Sequence, residues 1–141
     1  MPAAPAFARL SGIVALVAIL SPVVLHAQMS ARLRLEPEAG SQVANGAVIG
    51  SEFFDYVFTA RAGQVLSAGL AVTDTNGAGS AHFDILSPGD GGALFDGSGA
   101  TMPSGSVKLP RDGDYRVRVY LSGEDRDTGK TVGFALTLTI R

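Results

Sequence analysis

Apolar and polar side chains alternate strictly along residues 115–121. Apolar residues occupy every odd position from Tyr115 to Leu121, and arginine or tyrosine occupies the even positions. A period of two with one apolar side predicts a half-buried β-strand, and the turn residues at 110–113 mark its beginning. On this pattern Val117→Asp should prevent stable folding, because it would bury an isolated carboxylate. Arg118→Gln, on the polar side, should cost less than about 1 kcal/mol.

Similar short runs, separated by clusters of Gly, Asp, Ser and Pro, continue along the chain. No window after residue 27 keeps helical spacing for three turns, and this pattern is typical of a sandwich or barrel. We predict an all-β fold, a single antiparallel β-sandwich of about eight or nine short strands with jelly-roll or Greek-key-like connections. In the fourth run Leu66, Leu70 and Val72 share one face. The predicted strands are residues 31–35, 47–50, 53–60, 64–73, 81–86, 93–95, 101–109, 115–121 and 132–140.

The first 27 residues have the pattern of a secretory signal peptide. Arg9 supplies one positive charge, and a nearly continuous apolar run from Gly12 to Leu25 follows it. The run is too short to span a bilayer comfortably, and Pro22 argues against the alternative of a retained N-terminal anchor. Ala27 is a small residue of the kind that precedes a signal peptidase site. Because no cysteine is available for lipid attachment, we expect a periplasmic or secreted protein with no membrane anchor after cleavage.

Residues 28–141 then form one domain of about 114 residues. A chain of this length buries enough apolar surface to fold on a hydrophobic core alone, which it must do because it contains no cysteine. Without Arg9 the domain has ten Lys and Arg residues against thirteen Asp and Glu residues, and the basic residues are scattered. This balance leaves no electrostatic footprint for nucleic acid, so we exclude DNA and RNA as partners.

The residue types expected of an enzyme are sparse in this domain. Its one histidine, His82, lies in a strand pattern, and no Gly-x-Ser-x-Gly nucleophile elbow accompanies it. The Gly-rich stretches lack the Lys-Ser/Thr ending of a phosphate loop, and zinc needs more His or Cys ligands. We therefore predict a non-enzyme without metal or cofactor. Asp125 and Asp127 faintly resemble a calcium loop, but the third acidic ligand is missing, and solvated turn residues explain them better.

Three segments, in this order and spacing, resemble one protein family. Residues 55–66 form a strand, an Ala-Gly-Gln turn and a second strand, and residues 83–98 contain Phe-Asp-Ile-Leu-Ser-Pro-Gly-Asp. Residues 109–121 read Leu-Pro-Arg-Asp-Gly-Asp-Tyr-Arg-Val-Arg-Val-Tyr-Leu, with Phe-Ala-Leu-Thr-Leu closing the domain at 134–138. Together they resemble the small β-sandwich shared by pre-peptidase C-terminal domains and the periplasmic inhibitors of g-type lysozyme. A free-standing domain behind a signal peptide, with no protease attached, is more similar to the inhibitors.

The resemblance implies a protein that acts by binding, with loops from one end of the sandwich inserted into the cleft of a muralytic enzyme. Asp90 and Asp96 mark a second candidate loop in this domain. The family's main inserting loop corresponds to residues 122–131, where the candidate contact residues are Glu124, Asp125, Arg126, Asp127 and Lys130.

The same resemblance identifies positions at which this chain differs from the inhibitors. They carry two arginines four apart on the inserting loop and an aromatic residue at the turn before residue 53, where this chain has Gly123, Asp127 and Ser51. The implied partner is g-type lysozyme or another cell-wall-associated protein or glycan. The alternative is a pre-peptidase-like envelope module that binds a glycan or protein without inhibiting lysozyme. Both hypotheses leave the oligomeric state open, including whether the domain dimerises through an edge strand.

We predict that signal peptidase cleaves this chain after Ala27 during export. The short apolar run and the small residue at Ala27 are the physical basis, because both match the substrate pattern of the peptidase. Mass spectrometry of the exported protein should give a chain that begins at Gln28. An exported form that still contains Met1 would contradict the prediction.

Overall fold

The computed structural model describes residues 29–99 and 103–141, together with Pro2. The predicted signal peptide lies outside the described residues except at Pro2, and so do residues 101 and 102 of the seventh predicted strand. No helix in the described part of the chain is long and apolar enough to cross a membrane. In chain order the elements are β1 (Met29–Arg32), β2 (Gln42–Ile49), β3 (Phe53–Ala60), β4 (Val65–Thr75), β5 (Ala81–Leu86), β6 (Ala93–Asp96), a 3-10 turn (Gly97–Gly99), β7 (Ser104–Lys108), β8 (Gly113–Leu121), α1 (Gly123–Asp127) and β9 (Thr131–Ile140).

These strands form two sheets that pack face to face. Sheet A has five strands in the order β1-β3-β8-β5-β6, and sheet B has four in the order β2-β9-β4-β7. Apolar side chains from both inner faces form the core, where the Tyr56 and Phe134 rings meet edge-on with 6.2 Å between centroids. The all-β, two-layer prediction is confirmed. β3 and β5 have the predicted bounds, and the ends of β4, β6, β8 and β9 lie within two residues of the predicted ones. The odd residues of β8, from Tyr115 to Leu121, are at most 2% exposed.

β1 departs from the predicted antiparallel arrangement, because it pairs with β3 in parallel. Met29 lies opposite Phe54, and the register continues to Arg32 opposite Val57. The chain leaves β1, crosses to sheet B as β2 and returns to sheet A as β3, so β1 and β3 run in the same direction. Sheet A is therefore mixed, and β1 begins at Met29 rather than at residue 31.

β2 is longer than the pattern indicates, since it begins at Gln42 rather than at residue 47. Residues 42–46 carry no large apolar alternation, yet they pair with β9. Gly46 is required by close packing, because a Cβ there would lie 2.7 Å from the Phe134 ring. Leu66, Leu70 and Val72 share one face of β4 as predicted, because all three precede the β-bulge, and Val72 lies opposite Phe134 as Leu70 lies opposite Leu136. Val72 nevertheless stays 44% exposed.

A buried ion pair lies on the outer face of sheet A. Asp55 points away from the core but is only 1% exposed, because Arg118 from β8 lies against it. Arg118 donates two hydrogen bonds to the Asp55 carboxylate, both of 2.8 Å, and its guanidinium lies 3.9 Å from the centroid of the Phe53 ring. The hydrogen-bonded carboxylate raises the pKa of Arg118 above its ordinary value. The polar side of β8 is thus packed and paired rather than simply solvated.

The same face carries further polar contacts that hold the outer strands in place. Asp84 on β5 accepts a hydrogen bond from the Tyr120 hydroxyl at 2.9 Å and another from the Gly97 N–H at 3.0 Å. Burial, together with the Asp84 carboxylate, raises the pKa of Tyr120 well above its ordinary value. Arg32 on β1 donates to Asp114 on β8 at 2.7 Å and lowers the pKa of Asp114 to about 2. Strands at both sides of sheet A are therefore attached to its centre through side chains.

We expect Arg118→Gln to destabilise the fold by about 3–5 kcal/mol, because it leaves the buried Asp55 carboxylate without its charged partner. This larger loss of stability replaces the cost of less than about 1 kcal/mol that the alternating pattern alone indicates for Arg118→Gln. Adding Asp55→Asn should recover much of the loss, since no buried charge then remains. Urea unfolding midpoints measure both effects.

Arg116→Gln is the matched control for this experiment, because Arg116 lies on the same face and approaches Asp55 only to 3.9 Å. It should cost less than about 1 kcal/mol. A loss in the control equal to that of Arg118→Gln would contradict the assignment of Arg118 as the partner of Asp55.

Candidate functional site

Three connections meet at one end of the sandwich, here called the tip: residues 50–52, 76–80 and 122–130. They join β2 to β3, β4 to β5 and β8 to β9. The Gly50 N–H donates to the Lys130 carbonyl at 2.9 Å, and a Cβ at Gly50 would lie 3.1 Å from Gly129. The fold thus brings the exposed Ser51 next to the loop predicted to insert into a partner.

The connection from β8 to β9 contains a short helix, α1, which the sequence pattern does not predict. Its five residues are too few for helical periodicity to be recognised. Gly123 opens the helix with φ +58°, and Gly129 follows it with φ +66°. Both values lie in the left-handed region that favours glycine. The predicted polar loop is therefore a compact turn of helix between two glycines, and its side chains have defined directions.

Asp125 is the buried residue of α1, only 2% exposed. Its carboxylate accepts hydrogen bonds from the Ala78 N–H at 2.9 Å and from the Ser80 N–H at 2.8 Å. These backbone donors hold the pKa of Asp125 below its ordinary value. A Cβ at Gly77 would overlap with this carboxylate, so the connection lies tightly against it. Asp125 therefore positions the tip, and the interpretation of Asp125 as a solvated turn residue is wrong because its side chain is enclosed. Its assignment as a partner contact stays a prediction.

Ser122 begins the third connection and is held from two sides. Its hydroxyl forms a hydrogen bond of 2.8 Å with His82 Nε2 on β5, and its N–H donates to the Ser80 carbonyl at 3.0 Å. Both residues line a cavity of 290 Å³ between the sheets, together with apolar side chains that include Phe83 and Phe95. Among the described residues, no carboxylate forms a hydrogen bond with His82, so the pair is not arranged as a Ser-His-Asp triad.

The charges outside Asp125 are balanced on the connection from β8 to β9, and the half-buried Glu52 of the first connection adds one negative charge to the tip. Arg126 and Asp127 are exposed and pair with each other, with 3.0 Å between Arg126 Nε and Asp127 Oδ1. Glu124 is exposed and Lys130 is half-buried. Because the Asp125 charge is enclosed and engaged by backbone N–H groups, two cations face two carboxylates on this connection. The loop that reads as acidic in the sequence is therefore close to neutral at its surface.

The second candidate loop does not join the tip. β5 begins at the tip and runs to the opposite end of sheet A, so the turn that carries Asp90 lies at that far end, where Arg111 donates to the Pro88 carbonyl at 2.7 Å. Asp96 closes β6 and accepts hydrogen bonds from the Ser98 N–H and hydroxyl, which lower the pKa of Asp96. In the described part of the chain, no three His, Cys, Asp or Glu residues cluster as metal ligands.

We expect Asp125→Asn to lower the free energy of unfolding at pH 7, because an amide offers the Ala78 and Ser80 N–H groups one acceptor instead of two. The folded-state pKa of Asp125 is lowered, so its contribution is complete above about pH 4, the value of an unfolded aspartate, and is lost as the pH falls through the folded value. The difference in urea midpoint between the two proteins should therefore be largest at neutral pH and shrink below about pH 4.

Asp127→Asn is the control for this pH series, since it makes the same chemical change two residues along the chain at an exposed position. Hydrogen exchange at the Ala78 and Ser80 amides should accelerate in Asp125→Asn and stay unchanged in Asp127→Asn. Equal protection of these amides from hydrogen exchange in both variants would contradict the positioning role of Asp125.

A scan of protein-family models and a search of curated proteins found no match to this chain. Among solved structures, the chain is similar to Aeromonas hydrophila PliG, a periplasmic lysozyme inhibitor of g-type lysozyme, with a TM-score of 0.65 and 23% identity over 82% of this chain and 100% of that one. It is similar to a mutant of Escherichia coli PliG with a TM-score of 0.63 and 20% identity, over 82% and 100% of the two chains. The pre-peptidase C-terminal domain of Bacillus anthracis collagenase gives 0.53 and 13%, over 81% and 96%. The resemblance read from the sequence motifs is thus confirmed as a shared fold.

Proposed function

We propose that this protein is an exported binding protein that inhibits a g-type lysozyme by placing its tip in the cleft of the enzyme. The observation that carries the proposal is the tip itself, in which Asp125 holds the second connection to the third, the Gly50 N–H holds the first to the third, and Arg126 is presented to solvent. The fold is shared with PliG proteins that are periplasmic inhibitors of g-type lysozyme. The protein acts by occupying the cleft and performs no reaction of its own.

The tip is suited to this task because little of it must become ordered on binding. Asp125 fixes the second connection, and the Gly50 N–H fixes the first. A preorganised loop loses less conformational entropy when it binds, which leaves more of the interaction free energy as affinity.

Arg126 is the residue best placed to meet a carboxylate in such a cleft. Its guanidinium offers two parallel donors to a carboxylate, a geometry that lysine does not provide. Lys130 adds longer-range attraction, whereas Glu124 and Asp127 oppose the approach to a negative partner. In the free protein Asp127 already pairs with Arg126 at 3.0 Å, so binding must break or share that contact.

A second candidate function is that of an envelope module, similar to a pre-peptidase domain, which binds a glycan or protein and does not inhibit lysozyme. The observation that favours it is the pairing of Arg126 with Asp127 beside an exposed Glu124, which leaves little net positive charge for an acidic cleft. Ser51, at the first connection, is small and polar. Such a surface suits a polar partner better than a carboxylate-lined cleft.

We predict that the purified protein slows lysis of permeabilised cells by g-type lysozyme, and that Arg126→Ala weakens inhibition about tenfold or more, because a central arginine contact is lost. Arg34→Ala is the matched control, since Arg34 is exposed, pairs with a nearby acidic residue, Glu36, and lies towards the other end of the sandwich. Inhibition that is equally sensitive to both substitutions would contradict the assignment to the tip.

In the same lysis assay, we expect one substitution to improve inhibition. Asp127→Arg removes the partner of Arg126 and one repulsive charge, so inhibition should strengthen about two- to fivefold. Gly123→Arg is a poor choice, because its φ of +58° would strain any residue with a side chain. Equal lysis with and without the protein would overturn lysozyme as the partner. Co-sedimentation with purified cell-wall sacculi would then test the envelope module.

A further inference from the structure

Four strands form the edges of the two sheets, and three of them carry a charge that discourages pairing with another chain. β1 has four residues and ends in Arg32, β6 has four and ends in Asp96, and β7 has five and ends in Lys108. β2 has eight residues, reads Gln-Val-Ala-Asn-Gly-Ala-Val-Ile, and contains neither a charge nor a proline. A long uncharged edge of this kind is the usual template for pairing with another strand.

The register of β2 shows which of its backbone groups point to the open edge. The Gly50 N–H donates to the Lys130 carbonyl, in line with the β2–β9 pairing, so the even residues of β2 bond to β9. The odd residues therefore direct their N–H and C=O groups outward. Ile49 uses its carbonyl within the turn, where it accepts the Glu52 N–H at 3.0 Å. Val43, Asn45 and Ala47 have both groups directed to the edge, and no backbone hydrogen bond from another element in the described residues reaches them.

We propose that β2 pairs with β2 of a second copy of this chain, antiparallel about a two-fold axis at Asn45. Asn45 is the middle of the three residues with open backbone groups. The axis therefore places Asn45 opposite Asn45 of the second copy, and Val43 opposite Ala47 of the second copy. Each of the three residues then donates and accepts one backbone hydrogen bond. The two four-stranded B sheets become one continuous sheet.

The side chains of this edge are complementary to themselves under the same axis. The Asn45 amide has both donors and an acceptor, and can therefore pair with its own copy. Val43 is 58% exposed and Ile49 is 47% exposed, and the axis places them on the same face as diagonal neighbours across the new strand pair. An isologous contact needs this kind of self-complementarity, which a strand from an unrelated chain would meet only by chance.

The interface is small, since it consists of one strand pair and the side chains beside it. Interfaces below about 1,200 Å² in total are typical of transient association. We therefore expect a monomer–dimer equilibrium that shifts with protein concentration. Sedimentation equilibrium of the purified protein, in the form that its host cell exports, measures it.

Asn45→Lys and Asn45→Glu test the axis directly, because each places two like charges opposite one another. Each variant alone should dissociate at least tenfold more readily than the unaltered protein, and an equimolar mixture of the two should recover dimers, since opposite charges then face each other. Ser106→Lys, on the exposed face of edge strand β7, is the matched control and should leave the equilibrium unchanged.

Thermal unfolding of each variant confirms that it is folded before its association is measured. A protein that stays monomeric at all accessible concentrations would overturn the proposal. So would variants that associate as the unaltered protein does, a control that dissociates as strongly as Asn45→Lys, or a mixture that fails to recover dimers.

Discussion

Asp125 lies beneath the helix that carries it, and its carboxylate accepts the N–H groups of Ala78 and Ser80 from another connection. Partly buried backbone donors need partners, and among the residues that the structure describes Asp125 is the side chain that supplies these two with a charged acceptor. The contact fixes the position of α1 and of the turn between β4 and β5 at once. It also takes one negative charge off the surface, so the remaining charges of the connection from β8 to β9 cancel. Both the shape and the electrostatics of the tip therefore depend on this one buried group.

The alternating pattern is sufficient to predict β3, β5 and the inner face of β8, because large apolar residues recur there with a period of two. It fails where the residues are small or polar, as in the first half of β2, where Gly46 is needed for close packing against Phe134. The direction of β1 depends on the crossing of the chain to sheet B, which no local pattern contains. α1 is little more than one turn and has no period to detect.

The position of the candidate site follows from strand order, but its chemistry does not. Strands that alternate in direction must bring the ends of β2, β4 and β8 together, and for the same reason they send Asp90 to the far end. The burial of Asp55 and Asp125 depends on donors that are distant in sequence, Arg118 for the first and the turn at 78–80 for the second. An aspartate in a strand or a charged run is otherwise typical of a solvated position.

The open edge and the tip belong to the same strand, which determines how they relate. β2 runs towards the tip and ends at Ile49, directly before Gly50, whose N–H is bonded to Lys130. Antiparallel pairing reverses the direction of the second copy, so the two tips would point to opposite ends of the joined sheet. Neither tip is covered in that arrangement, and each can meet its own partner. A dimer of this form would carry two independent tips, because the Asn45 axis and α1 share no contact residue.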